Sequence, residues 1–246
     1  MVERPRSLPC TEGRVRTKGL GRDHLKSLDP RFRFLRKLGP QARILDLGCG
    51  SFKTLKRLRE ERPDLKYYAV DIMDVAAVCP PGVTFARADI DHEKLPFNDG
   101  YFDAIFFCHV LEHLLYPMTT LAEIRRVLKV GGQIYIEGPS TRALFLPSLS
   151  FIRSSGSMKA VGDDLNFYDN FTHVRPLSKR SLHMFLELAS CDVAKLGHVR
   201  NPLKAAIAPF LVLAGLLIFK RRWICVGLWE LVGWSVYAVG KKEGAC

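Results

Sequence analysis

The sequence predicts an α/β fold, a doubly wound and mostly parallel sheet with helices on both faces. Three observations predict it. Short apolar segments alternate with helical ones from Arg43 to Glu137. A glycine turn, Gly48-Cys49-Gly50, joins the first apolar segment to the next helix. Acidic residues, Asp46, Asp71 and Asp89, fall at or just after strand ends. Such alternation requires crossover connections and therefore parallel strands. Ligands bind sheets of this kind at the carboxyl ends of the strands, where the order reverses.

The elements follow in order. Residues 1–22 read as a basic arm. His24 to Leu38 reads as a lead-in helix closed by Gly39-Pro40, with Asp29-Pro30 a possible break. Strands are expected at Arg43–Leu47, Lys66–Val70, Val83–Ala86, Phe102–Cys108 and Gln133–Glu137. The fourth is apolar throughout, as a central strand covered on both faces must be. Helices are expected at Phe52–Glu61, at Met118–Leu128, which stops at Lys129-Val130-Gly131-Gly132, and at Ser178–Ala189. Asp192–Val199 is expected as the final strand. Three regions result: 1–40, basic arm and lead-in helix; 41–200, the α/β domain; and 201–246, an apolar, basic-flanked helical tail.

Composition narrows the function. The chain has 246 residues, enough to bury a core without disulfides or metals. Its seven cysteines are scattered with no C-x-x-C pair, which indicates reduced thiols and no zinc site. No carboxylate cluster has ligand spacing, so no metal is expected. The net charge of +12 sits wholly on the ends: residues 1–40 carry +7, residues 200–246 carry +5, and the middle is neutral. A nucleic-acid enzyme would carry basic charge around its active-site mouth as well, so no nucleic acid is expected as partner. Basic ends flanking an apolar tail suit an anionic membrane surface.

The chemistry is concentrated in Asp46-Leu47-Gly48-Cys49-Gly50. Glycines let backbone approach a ligand, and the helix N-terminus offers free N–H donors. Asp71, ending the second strand, suits the hydroxyls of a ribose. The third glycine of a dinucleotide fingerprint is absent. The acidic residue two positions before the first glycine suits a ligand with a cationic amino-acid end. These residues resemble the first motif of class I S-adenosylmethionine-dependent methyltransferases. Leu95-Pro96-Phe97, Phe102-Asp103, His109-Val110-Leu111-Glu112-His113-Leu114, Glu123 to Lys129 and Gly131-Gly132 extend the resemblance. They are similar to the methyltransferase type 11 subfamily, which includes quinone-biosynthesis and envelope-glycan enzymes. The resemblance implies a Rossmann-like sheet and S-adenosyl-L-methionine as cofactor. It implies that Asp46, Gly48, Cys49, Gly50, Asp71, Ile72, Asp89, Ile90 and Cys108 form the cofactor site. Many relatives carry glycine where this chain has Phe52, from which altered packing of helix on strand is expected rather than lost binding.

A sulfonium methyl is already activated, so catalysis needs positioning and, for a hydroxyl, a proton acceptor. Candidates are His113 first, then His109 and Glu112, all following the fourth strand. Asn166 to Pro176 forms a second cluster, similar to a segment of methyltransferases of cell-envelope polysaccharide synthesis. There Tyr168, Asp169, His173 and Arg175 are candidate substrate contacts, and His173 is a rival base. In the tail, Ala205–Phe219 has no charge, and Trp223–Gly240 has only Glu230 and all three tryptophans. Trp with flanking Lys and Arg suits a membrane interface. A buried helical subdomain and a dimer interface are the competing readings. The expectation is O-methylation of a membrane-linked glycan or other amphiphilic acceptor, at the inner, cytoplasmic face of the membrane and peripheral or monotopic. A quinone or lipid methyltransferase and a non-catalytic cofactor-binding scaffold remain as alternatives.

Overall fold

The computed structural model describes residues 28–148 and 165–244. The basic arm, residues 24–27 of the lead-in helix and the stretch 149–164 lie outside them. Leu28 is helical, the chain bends at Asp29, and a new helix starts at Pro30, so the break falls at Asp29-Pro30 as expected. The Asp29 carboxylate accepts the Arg31 N–H at 2.9 Å and Pro30 takes the first position of α1 (Pro30–Leu35), where no donor is needed. The chain continues through β1 (Arg43–Leu47), α2 (Lys53–Glu61), β2 (Lys66–Asp71), β3 (Val83–Arg87), β4 (Phe102–Cys108), α3 (Pro117–Val127) and β5 (Leu128–Pro139). It then forms α4 (Lys179–Leu188), β6 (Cys191–His198), α5 (Pro202–Leu217), α6 (Arg221–Val232) and β7 (Ser235–Lys242).

The sheet has seven strands in the order β3-β2-β1-β4-β5-β7-β6. All pairs are parallel except those of β7, which runs antiparallel to both β5 and β6. Both faces are covered, which explains the near-continuous apolar strands. One face of β1, β4 and β5 sends Leu45, Phe107 and Ile136 against Leu121 and Ile124 of α3 and Leu182 and Leu186 of α4. The other sends Ile44, Phe106 and Tyr135 against Phe32 and Phe34 of α1 and Leu55 and Leu58 of α2. Successive side chains alternate faces, so both stripes come from the same strands.

Three expectations are corrected. β5 begins at Leu128, directly after α3, rather than at Gln133; Lys129 to Gly132 belong to the strand. Cys191–His198 is not the final strand. The second apolar run, expected to stay helical to Gly240, is helix only as far as Val232. Gly233 then caps α6 in the left-handed conformation, φ +68°, and the chain turns into β7. Residues 201–246 are therefore not a separate helical tail, because β7 fills the sheet between β5 and β6. Helices α5 and α6 pack on each other at small residues. A Cβ on Gly227 would lie 2.6 Å from Val212 Cγ2, and one on Gly215 2.8 Å from Ile224 Cγ1. The outer surface of α5 is left apolar, with Leu203, Ile207, Phe210, Leu213 and Leu217 exposed. No helix of the described residues is long and apolar enough to cross a membrane.

Phe52 also departs from expectation. It stands immediately before α2 with φ +59°, a conformation disfavoured for any residue with a Cβ. Glycine at this position would thus relieve backbone conformation as well as packing. Phe52 offsets the strain by burying its ring completely, edge-to-face with Phe85 at 5.8 Å.

Candidate cofactor and active site

The first crevice is built by the turn after β1. Gly48 has φ +81° and is crowded by the segment after β4: a Cβ there would lie 2.2 Å from Val110 Cγ2. Gly50 is also left-handed, φ +50°, but a Cβ there would meet nothing within 4 Å. The first glycine thus serves the fold, and the second faces open space. Gly50 N–H donates to Asp71 Oδ2 at 2.7 Å, and Met73 N–H donates to Asp71 Oδ1 at 3.0 Å. Asp71 is fixed at the end of β2 with half of its four acceptor positions still available. Ile72 beside it is 57% exposed. Ile90 is buried. Asp89 accepts the Asp91 N–H at 3.0 Å and approaches His92 Nδ1 at 3.0 Å, shaping the turn after β3. Ile72, Arg87, Asp89 and Glu93 line a hollow of about 480 Å³. Cys49 and Cys108 keep their thiols protonated, since burial pushes both well above the ordinary range.

Asp46 carries the strongest signal. It is buried, and its Oδ2 has no hydrogen-bond partner. Burial first, and then the charge of Asp71, push its carboxyl from 3.8 up to about 7. The raised value means that the folded chain holds this proton more tightly than the unfolded chain. Asp46 therefore costs stability as pH rises from 3.8 toward 7. A buried carboxylate held at that cost fits a cationic ligand group. Binding of such a ligand should weaken as pH falls below 7, approaching tenfold per pH unit. Calorimetric titration with the cofactor at pH 8 and pH 5.5 checks this, and Asp46→Asn should flatten the dependence.

The second half of the site follows β4. His109 takes the left-handed conformation, φ +57°. Its Nε2 lies 3.2 Å from Glu137 Oε1 and its Nδ1 lies 3.4 Å from Glu112 Oε1. Burial alone would lower its pKa, but the two carboxylates outweigh burial and raise it to about 9. Both nitrogens of His109 thus face carboxylates in an ion cluster, an arrangement that favours its charged form over a free base. Glu137 is wholly buried near the end of β5. It also accepts from Tyr135 OH at 2.7 Å and from Arg31, whose Nε lies 2.8 Å away and whose Nη2 pairs with the other oxygen. Burial would push its carboxyl up, but Arg31 and His109 hold it well below the usual range. A cavity of about 490 Å³ opens beside this cluster, lined by Arg31, Arg57, Glu137, Lys204, Trp229 and Trp234 among others.

The segment 165–176 folds back over this end. Asp169 does not face a substrate: its carboxylate accepts from Leu165 N and Asn166 N at 3.0 Å each and pairs with Ser148 Oγ, closing a capping box. Tyr168 is 70% exposed. Arg175 Nη2 donates to Leu114 O at 2.8 Å, tying the segment to the turn after β4. Among the described residues, Glu112, His113 and His173 come together with one potential ligand atom each, all within 4.8 Å of one another. Sequence spacing gave no sign of this cluster, because His173 lies far along the chain.

The fold is one shared with solved S-adenosylmethionine-dependent methyltransferases. Residues 45–136 match the family model described as a methyltransferase domain. The cofactor of that class is S-adenosylmethionine. A ubiquinone/menaquinone biosynthesis C-methyltransferase of Bordetella avium is 30% identical over 104 residues, 39% of this chain and 41% of that protein. The chain thus matches about two fifths of that relative's length. An S-adenosylmethionine-dependent methyltransferase from Archaeoglobus fulgidus superposes with TM-score 0.58 at 21% identity, covering 90% of this chain and 94% of that one. A [4+2]-cyclase, SpnF, superposes with TM-score 0.56 at 18% identity, covering 95% and 86% of the two chains. At such identities these two share the fold, and the fold alone does not fix the reaction.

Proposed function

We propose that the chain transfers a methyl group from S-adenosylmethionine to an amphiphilic acceptor presented at a membrane surface. The observation that carries the reading is the buried, unpartnered Oδ2 of Asp46 beside the open Gly50. Asp46 and the 48–50 turn would hold the cationic amino-acid end, Asp71 the ribose hydroxyls, and Ile72, Asp89 and Ile90 the adenine. When bound, the cofactor supplies a methyl group activated by its sulfonium. The residues of the chain position the acceptor in line with it and take up any proton the acceptor loses. For that proton the nearest groups are Glu112, His113 and His173, since His109 is engaged by its carboxylates.

The second cavity and its surroundings support this reading of the acceptor. Trp229 and Trp234 supply apolar walls, and Arg57 and Lys204 supply positive charge. Leu203, Ile207 and Phe210 continue an exposed apolar surface along α5 from Lys204, with Lys220 and Arg222 at its far end. An apolar face bordered by Lys and Arg favours peripheral contact with anionic lipid. A quinone-type acceptor, as in the name of the Bordetella relative, fits an apolar body with a polar head. A lipid-linked glycan is the second reading. Exposed Tyr168 and Phe171 favour it as rings on which sugar faces stack.

Methyl-labelled cofactor incubated with the full chain and anionic vesicles tests this. Vesicles would carry either a demethylated quinol or a lipid-linked sugar. Label is expected in the quinol. Label in the sugar alone supports the second reading, and label in neither contradicts both.

A further inference from the structure

We propose that Glu112, His113 and His173 form a binding site for one divalent transition-metal ion at the acceptor end of the crevice. The ion itself needs no cofactor, and only its part in the reaction rests on the methyltransferase reading.

Glu112 is wholly buried, and neither Oε1 nor Oε2 accepts a hydrogen bond. The His109 contact at 3.4 Å offsets its charge but is not a hydrogen bond. A buried carboxylate with both oxygens in that condition is expensive unless something else coordinates it. It stands over the ends of β4 and β5: a Cβ on Gly138 would lie 2.9 Å from Glu112 Oε2.

The two histidines are oriented as metal ligands are. Thr172 Oγ1 gives its proton to Asn170 Oδ1 at 2.8 Å, so it accepts from His113 Nδ1, also at 2.8 Å. The Thr172 carbonyl lies 3.3 Å from the same nitrogen. His173 Nδ1 donates to the Phe167 carbonyl at 2.7 Å. With the Nδ1 proton fixed on each ring, the lone pair of each is on Nε2. This is the arrangement in which outer hydrogen bonds set the tautomer of a ligating histidine. The rings lie 4.8 Å apart, centroid to centroid. Ligand atoms within 4.8 Å of one another need to draw in by about 1 Å to reach bonds of about 2.0–2.2 Å. Side-chain torsions supply that.

Two imidazoles and one carboxylate select zinc, iron, cobalt or manganese over magnesium, which prefers all-oxygen sets. Three protein ligands leave a coordination position open, as in catalytic rather than structural sites. A phenolic or enolic oxygen of an acceptor would take that position. His113 then acts as a ligand rather than as a free base.

The test is titration of the full chain with Zn²⁺ by calorimetry and with Co²⁺ by visible absorption, with Mg²⁺ as control. A cofactor titration run in parallel reports separately on the methyltransferase reading. One Zn²⁺ or Co²⁺ per chain is expected, with Mg²⁺ bound far more weakly. Glu112→Gln and His173→Gln should each weaken Zn²⁺ by at least about 100-fold, more than loss of an outer-shell partner does. Glu112→Gln introduces no cavity and removes a buried charge, so it serves where His173→Gln fails to fold. Absence of Zn²⁺ binding by a cooperatively melting chain overturns the proposal. So does a Co²⁺ spectrum of thiolate character that Glu112→Gln leaves unchanged, which would place the ion on cysteines.

Discussion

Arg31→Ala is expected to destabilise the protein by about 3–5 kcal/mol at neutral pH, the cost of leaving one member of a buried pair uncompensated. Arg31 reaches from α1 across the sheet end and binds both oxygens of Glu137, which has no exposed side-chain surface. His109 remains as a cationic partner on one oxygen only, at 3.2 Å. For a chain of this size that loss corresponds to a fall in Tm of about 10 °C. Arg31→Ala combined with Glu137→Gln should recover much of it, because the stranded charge is gone. The same cluster sets the pH range of stability. Glu137 has a depressed folded-state pKa, so its contribution is present above the ordinary carboxylate range and lost as pH falls through and below it. His109 has a raised one, so its contribution is complete below 6.5 and lost as pH rises through about 9. Denaturant midpoints across pH for wild type and both variants check the assignment. A change in Arg31→Ala below about 0.5 kcal/mol, the scale of an ordinary surface substitution, would contradict it.

Asp71→Ala is expected to weaken S-adenosylmethionine at least about 100-fold. Two hydrogen bonds from ribose hydroxyls to a carboxylate contribute about 1.5–3 kcal/mol each. The variant also releases the N–H groups of Gly50 and Met73, so the turn that carries the open glycine loses its anchor. A melting curve separates the two effects. The stability loss should be about 1–3 kcal/mol, the cost of stranded donors. Asp71→Asn, which keeps one acceptor oxygen, should fall between wild type and alanine in affinity.

What the sequence disclosed was local, and what it concealed was distant. The Asp46 to Gly50 turn is legible because positive φ at Gly48 and Gly50 and the strand-to-helix switch depend on adjacent residues. The parallel core is legible because strands covered on both faces must be apolar. β7 was concealed by that same rule. Ser235 to Gly240 lies between two strands with both faces covered, and such a run cannot be told from a buried helix by periodicity. Gly233 was the available signal, a helix stop inside the apolar run. The ion cluster could not be read in advance, since Arg31 and Glu137 stand 106 positions apart. The same holds for His173 with Glu112, which come together only in the fold. Asp169 looked like a substrate contact because capping residues and polar ligand contacts use the same side chains. Only the capping box around Asn166 distinguishes them.

The central claim is that the crevice between Asp46 and Asp71 binds S-adenosylmethionine. Calorimetric titration of the full chain with S-adenosylmethionine and with its demethylated product tests it most directly. One-to-one binding of both, lost together in Asp71→Ala, is the predicted result. A cooperatively folded chain that binds neither would contradict the claim, and would mean that the left-handed Phe52 holds the turn in a form the cofactor does not fit.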